Sequence, residues 1–210
     1  GKGSVYNSEG VVENDASIMD GSTLAAGAVA GIIGVKNPIT LAQLIKDSTK
    51  HVMLSGEGAS TFANKMNLER VEQRYYFTDE RWKHREQYLK EKKYGTVGCV
   101  ALDKDGNIAA GTSTGGMMHK QWGRIGDSPV IGAGTYADSK YAGVSCTGHG
   151  EYFIKNAVAY DVIARMQYAN ETVTKAAEFI INNKLKAQNA GGGLIALDKN
   201  GEVTMPFNTA

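Results

Sequence analysis

Cys99-Val100-Ala101-Leu102-Asp103-Lys104-Asp105-Gly106-Asn107-Ile108 reads as two runs of strand-forming residues around a polar Asp-Lys-Asp-Gly turn, the pattern of a β-hairpin. Nearly the same sequence returns at Leu194-Ile195-Ala196-Leu197-Asp198-Lys199-Asn200-Gly201-Glu202-Val203, and a related pattern stands near the start at Ser4-Val5-Tyr6-Asn7-Ser8-Glu9-Gly10-Val11-Val12. Each predicts a hairpin, and tight hairpins join antiparallel strands. The shared Ala-Leu-Asp-Lys-Asp/Asn-Gly unit is too short for a solenoid repeat and is read as turn chemistry. Asp103-x-Asp105-Gly106 is no calcium loop either, because the sixth-position Gly and twelfth-position bidentate Glu of an EF-hand are missing.

Helices surround these strands. Asn37-Pro38 supplies an N-cap residue followed by Pro at the first helical position, and Leu41, Leu44 and Ile45 then form an apolar stripe running to about Lys50. A shorter helix is expected over Glu57 to Met66. Ile154, Ala157, Val158, Val162 and Met166 recur at helical spacing after Glu151, as do Val173, Ala176, Ala177, Ile180, Ile181 and Leu185 after Glu171. Those two helices are expected to cover a sheet as a pair. Strands, helices and closing strands together predict an α+β layered sandwich.

Between Thr78 and Tyr94 charged residues crowd out apolar ones, which reads as a solvated helix or connector. The chain is therefore expected to be one domain with a front part (1–77), a connector (78–95) and a back part (96–210). A net charge of only +1 from 23 Lys+Arg and 22 Asp+Glu gives no overall field to draw nucleic acid or an acidic membrane. The longest apolar run, Leu24 to Val35, is broken by Gly27, Gly31 and Gly34 and falls short of the ~18 to 20 residues a membrane span needs. Cys99 and Cys146 are the only cysteines and lack CxxC spacing, which suits a reducing compartment. A cytoplasmic location is expected, and Gly1-Lys2-Gly3 leaves open a leader segment ahead of it.

Three clusters carry chemistry. Gly95-Thr96-Val97-Gly98 places a Thr at the head of a strand directly after the connector. A hydroxyl is a poor nucleophile without an adjacent base, and an N-terminal Thr brings one in its own α-amine, so Thr96 would act once the bond to Gly95 is cut. Without such a cut, Thr96 is an ordinary strand former. Gly111-Thr112-Ser113-Thr114-Gly115-Gly116 and Gly123-Arg124-Ile125-Gly126-Asp127-Ser128-Pro129 are read as glycine-rich loops. Arg124 and Asp127 are either a loop ion pair or a clamp for a zwitterion, the guanidinium taking a carboxylate and the carboxylate an ammonium. Thr147-Gly148-His149-Gly150-Glu151, between a strand and a helix, offers either an oxyanion site or a plain helix cap. His119, His149 and Ser128 do not suggest a Ser-His-Asp triad.

These clusters, with Gly132-Ala133-Gly134-Thr135-Tyr136-Ala137, Asp15-Ala16-Ser17-Ile18-Met19-Asp20-Gly21 and His51-Val52-Met53-Leu54-Ser55-Gly56-Glu57-Gly58, resemble the plant-type (class 2) L-asparaginases and isoaspartyl aminopeptidases, which are N-terminal-nucleophile (Ntn) hydrolases. The resemblance implies a four-layer αββα sandwich assembled as a dimer of processed αβ units. It implies cleavage between Gly95 and Thr96, Thr96 as nucleophile, Thr114 as the hydroxyl that orients it, and Thr147 with the Gly148 N–H as oxyanion hole. Arg124 would hold the substrate α-carboxylate, and Asp127 with the Gly150 carbonyl its α-ammonium. Substrates would be L-asparagine and β-aspartyl dipeptides, with no catalytic metal or cofactor. A structural sodium ion would be held by a loop expected before Gly1, and family members also carry an N-terminal strand and a C-terminal tail beyond the matched region.

Glycosylasparaginases share the Gly-Arg-x-Gly-Asp-Ser-Pro loop, but usually have His-Asp ahead of the nucleophile and Ser-Thr-Asn-Gly where this chain has Ser113-Thr114-Gly115-Gly116. From another class, a non-catalytic amino-acid-binding protein or an unprocessed precursor would keep the chain whole.

Overall fold

The protein is described by a computed structural model over residues 1–87 and 94–209. Asn14–Asp20 (β1) and Ala26–Ile32 (β2) pair antiparallel, and β2 pairs in parallel with Met53–Ser55 (β3) across a helical crossover. The hairpin expected at Asp103 is formed by Tyr94–Leu102 (β4) and Ile108–Met117 (β5). Asp103 Oδ1 closes its turn by accepting the N–H groups of Asp105 and Asn107 at 2.9 and 2.8 Å. Because β5 also pairs with β1, the first sheet has the order β3-β2-β1-β5-β4. Thr135–Asp138 (β6), Ala142–Gly148 (β7), Gly192–Asp198 (β8) and Val203–Thr204 (β9) make the second sheet in that order, and β8–β9 is the second expected hairpin.

The sheets face each other, with β5 against β6 and β7 and β4 against β7 and β8. Each outer face is covered by helices. Pro38–Ser48 (α1) and Gly56–Lys65 (α2) bury Leu41, Ile45 and Ala59 against Val29 and Ile32 of the first sheet. On the second sheet, Val158–Ala169 (α5) and Val173–Phe179 (α6) bury Val162, Ile163, Val173 and Ala177 against Val144, Leu194 and Ala196. Fully burying one such Leu, Ile or Val contributes roughly 1.5–3 kcal/mol, so these two layers hold the helices in place. The result is a four-layer αββα sandwich of Ntn-hydrolase type.

Several local expectations are corrected. Residues 4–12 form a turn rather than a paired hairpin, because Val5, Tyr6 and Val12 are buried with Tyr76 and Met118 while the Asn7 side chain closes the turn. Gly111–Gly116 is strand within β5, not loop. Its glycines serve close approach, since a β carbon on Gly115 would lie 2.9 Å from the Val5 nitrogen. The single helix expected after Glu151 is broken at Ala157, whose φ of +47° is left-handed, into Gly150–Asn156 (α4) and α5. The helix after Thr172 continues beyond α6 as a π-helical segment, Ile180–Leu185, that still buries Ile180, Ile181 and Leu185.

The first part of the charged connector is the helix Asp79–Gln87 (α3), while residues 88–93 of the expected connector lie outside the described residues. The helix is less detached than its composition implies. Arg81 Nε donates to the Gly3 carbonyl at 2.9 Å, Trp82 packs edge-on to Tyr6, and the Arg85 guanidinium lies over Trp82.

Candidate active site

Thr96 is the third residue of β4 and stands opposite Thr114 of β5 in the antiparallel ladder. The pairing is irregular between Tyr94 and Thr96, at Gly95, where the backbone steps out of register. Thr96 Oγ1 donates to Thr114 Oγ1 at 3.1 Å, and Thr114 Oγ1 in turn donates to the Gly95 carbonyl at 2.9 Å. The Gly116 N–H gives Thr114 Oγ1 a second incoming bond at 3.0 Å. The Thr114 hydroxyl thus accepts twice and donates once, which fixes its only proton on the carbonyl oxygen that precedes Thr96. Arg81 of α3 reaches the same peptide, its Nη2 lying 3.2 Å from where a β carbon on Gly95 would stand.

From Thr96 a cleft runs between the sheets to Arg124, Asp127 and Ser128, with Thr114 and Gly148 along its walls. Thr147, one residue before Gly148, lines a neighbouring cleft that also opens on Thr96. Both residues end β7, opposite Gly193 and Gly192 of β8. Gly148 requires its glycine: φ is +153°, and a β carbon would come within 2.6 Å of the Gly191 carbonyl oxygen.

At the far end, of the two readings of Arg124 and Asp127, the loop ion pair is not the one formed. Arg124 instead pairs bidentately with Glu151, Nε to Oε1 at 2.9 Å and Nη2 to Oε2 at 3.0 Å. That grip holds the Glu151 carboxyl below the usual carboxylate range and leaves the other guanidinium edge for a second carboxylate. Asp127 is buried, and burial pushes its carboxyl up to about 7. Its Oδ2 has no hydrogen-bond partner among the described residues, the state of a group poised for an incoming donor. Gly150 packs against both groups, its β-carbon position being 2.7 Å from Arg124 Nη2 and 2.9 Å from Asp127 Oδ1.

Of the residues singled out in the sequence, Thr96, Thr114, Arg124, Asp127 and Gly148 line one cleft, Thr147 lines the neighbouring one, and Gly150 packs against Arg124 and Asp127. Glu151 closes the Thr147–Glu151 motif, and its partnership with Arg124, 27 residues away, carries no local signal in the sequence. Likewise His149 is occupied structurally, its Nδ1 accepting the Gly191 N–H at 3.1 Å. The sodium loop expected before Gly1 involves none of the described residues. Among those residues no helix is long and apolar enough to cross a membrane.

A hydroxyl pair on a carbonyl stands at one end of the cleft and a guanidinium beside a buried carboxyl at the other, groups complementary in charge to the carboxylate and ammonium of a zwitterion. Comparison with known proteins agrees in kind. The Asparaginase family profile matches residues 1–210. The chain is 46% identical to the isoaspartyl peptidase of Escherichia coli (strain K12), an alignment covering all of this chain and 70% of that protein. It is 41% identical to the probable isoaspartyl peptidase/L-asparaginase 2 of Arabidopsis thaliana, over all of this chain and 74% of that protein. To the isoaspartyl peptidase/L-asparaginase of Homo sapiens it is 42% identical, over 96% of this chain and 68% of the relative.

Proposed function

Since the chain belongs to the asparaginase family, whose relatives are named isoaspartyl peptidases and L-asparaginases, we propose that it is a self-cleaving threonine amidohydrolase. Its substrates are L-asparagine and β-aspartyl dipeptides, and its product is L-aspartate. What supports the reading above all is the hydrogen-bonded run from Thr96 Oγ1 through Thr114 Oγ1 to the Gly95 carbonyl, since it joins nucleophile, proton carrier and scissile carbonyl in one line.

In maturation, Thr96 Oγ attacks the Gly95 carbonyl carbon as its proton moves to Thr114 Oγ1 and the Thr114 proton moves on to the Gly95 oxygen, giving a neutral tetrahedral adduct whose new hydroxyl proton is the one the nitrogen takes up on collapse. The tetrahedral adduct collapses with loss of the Gly95–Thr96 C–N bond, the nitrogen taking up a proton. Water then hydrolyses the resulting ester, freeing the Gly95 carboxylate and the Thr96 hydroxyl and α-amine.

Turnover reuses the same oxygen. The α-amine, with a reference pKa near ~7.7, takes the Oγ proton as Thr96 attacks the side-chain carbonyl of the substrate. Thr147 Oγ and the Gly148 N–H receive the oxyanion, ammonia or the amine of the second residue leaves with the proton, and water releases L-aspartate from the β-aspartyl ester. Arg124, oriented by Glu151, takes the α-carboxylate. Asp127 ionises against the α-ammonium, helped by the Gly150 carbonyl. The processed αβ unit acts as a dimer, (αβ)2.

Replacing Thr96 by Ala tests this directly. The expected protein stays whole and releases no L-aspartate from a β-aspartyl dipeptide; release by the uncut variant would place the chemistry elsewhere.

A further inference from the structure

Ser17 of β1, Thr112 of β5, Thr135 of β6 and Ser145 of β7 meet between the two sheets, each buried. Ser17 Oγ lies 2.6 Å from the Ser128 carbonyl oxygen and 2.8 Å from Thr135 Oγ1. Thr112 Oγ1 lies 2.5 Å from Thr135 Oγ1 and 2.7 Å from Ser145 Oγ. Each hydroxyl has one proton to give, and the Ser128 carbonyl can only accept. Ser17 can give its proton to the Ser128 carbonyl or to Thr135 Oγ1, and in the Thr112–Thr135 and Thr112–Ser145 contacts either hydroxyl can donate. Thr112 Oγ1 also lies 3.3 Å from the Gly134 carbonyl oxygen. The four hydroxyls and two carbonyls form one connected buried network across both sheets.

Three points of this network lie beside groups of the candidate site. Ser128 follows Asp127. Thr112 lies two residues before Thr114 on the same face of β5, and Ser145 two residues before Thr147 on the same face of β7. The nucleophile strand is seated on it as well, since a β carbon on Gly98 would come 2.3 Å from Ser145 Oγ. Apolar contacts are non-directional, whereas a buried hydroxyl that loses its partner is left with an unmet hydrogen bond, so a slide here would orphan several at once.

We propose that Ser17, Thr112, Thr135 and Ser145 are positioning residues: their buried hydroxyl network holds the amino-acid clamp, the Thr96–Thr114 pair and the Thr147 strand in mutual register. The assignment rests on the proposed function, because it concerns the alignment of that reaction's parts.

The test compares Thr112→Val, of nearly equal shape, and Thr112→Ser, which keeps the hydroxyl, in processed protein turning over a β-aspartyl dipeptide. Thr112→Val is expected to lower kcat about ten- to a hundredfold, as small misplacements of reacting groups do, and Thr112→Ser to recover most of it. Ser17→Ala, cut at the Ser128 end, is expected to raise KM more than it lowers kcat. Equal kinetics for Thr112→Val and the unaltered protein, with only the melting temperature reduced, would overturn the proposal, as would a Thr112→Ser no better than Thr112→Val. If Thr112→Val does not fold, Ser17→Ala decides by its KM, and an unchanged KM overturns the assignment. An unaltered protein that processes but never hydrolyses the dipeptide would instead contradict the proposed function.

Discussion

Thr114 gives its one hydroxyl proton to the Gly95 carbonyl oxygen, at 2.9 Å, while the Thr96 hydroxyl is directed at Thr114. The carbonyl is thus polarised by the neighbour best placed to receive the attacking group's proton. Thr114→Val keeps the shape and removes both functions, so self-cleavage is expected to slow about 10²- to 10³-fold, the usual cost of losing one oxyanion donor. Thr114→Ser should remain much faster. Following the two pieces on a denaturing gel checks this, and cleavage of Thr114→Val at the unaltered rate would remove Thr114 from the mechanism.

Asp127, with its carboxyl pushed up to about 7 by burial, should make ligand binding depend on pH. Below that value the empty site holds a neutral carboxyl, and an α-ammonium must displace its proton. L-Aspartate affinity is therefore expected to rise up to about tenfold per pH unit as pH climbs toward about 7, then level off. Calorimetry near pH 6 in two buffers of different ionisation heat should report a released proton, and Asp127→Asn should abolish it.

The same group affects the ligand-free fold with a definite sign. Its unfolded pKa is near ~3.9, so between that value and about 7 the native state binds more protons than the unfolded one, and stability falls as pH rises. Asp127→Asn should flatten this part of the melting-temperature profile. A ligand-free protein that becomes more stable across the window, in both the unaltered and Asn forms alike, would rule out an Asp127 contribution.

Glu151 grips one edge of the Arg124 guanidinium in a fork of two bonds at 2.9 and 3.0 Å. Glu151→Gln keeps its size and loses the charge, leaving Arg124 less firmly oriented. KM is expected to rise about tenfold with kcat nearly retained, consistent with weakening a charge-assisted pair outside the reacting atoms. A fall in kcat with unchanged KM would assign Glu151 to the chemical step instead.

Gly150→Ala would press a methyl to within 2.7 Å of Arg124 Nη2 and 2.9 Å of Asp127 Oδ1. Overpacking of that kind typically costs about 1–3 kcal/mol, here taken from the two groups that bind the ligand. L-Aspartate binding should weaken while self-cleavage at Gly95 proceeds, because Thr96 and Thr114 are untouched. Equal losses in both would indicate a general collapse of the cleft.

The two Asp-Lys-Asp/Asn-Gly hairpins and the helix opening at Pro38 were legible because turn chemistry and a Pro at the first helical position are local signals, although the Asn37 side chain makes no capping hydrogen bond. The break at Ala157 was not, since Ala is a strong helix former and only tertiary packing places it at φ +47°. Glycines in Gly111–Gly116 misled for a related reason: in sequence they signal turns, but in β5 they make room for the chain near Val5. Thr96, Thr114, Arg124, Asp127 and Gly150 could be named from their motifs and do gather around one cleft. The Arg124–Glu151 pairing and the Ser17–Thr135–Thr112–Ser145 run depend on which strands and loops face each other, which no short stretch of sequence encodes.

If Thr96 becomes the catalyst only when the bond to Gly95 is cut, activity must track cleavage, and a single time course tests this. Freshly purified, uncut protein is incubated, and each sample is divided between a denaturing gel and an assay of L-aspartate release from a β-aspartyl dipeptide. Release is expected to start from nothing and to rise in proportion to the cut fraction, with Thr96 as the new N-terminal residue. Full hydrolysis while the chain is still whole would contradict the account.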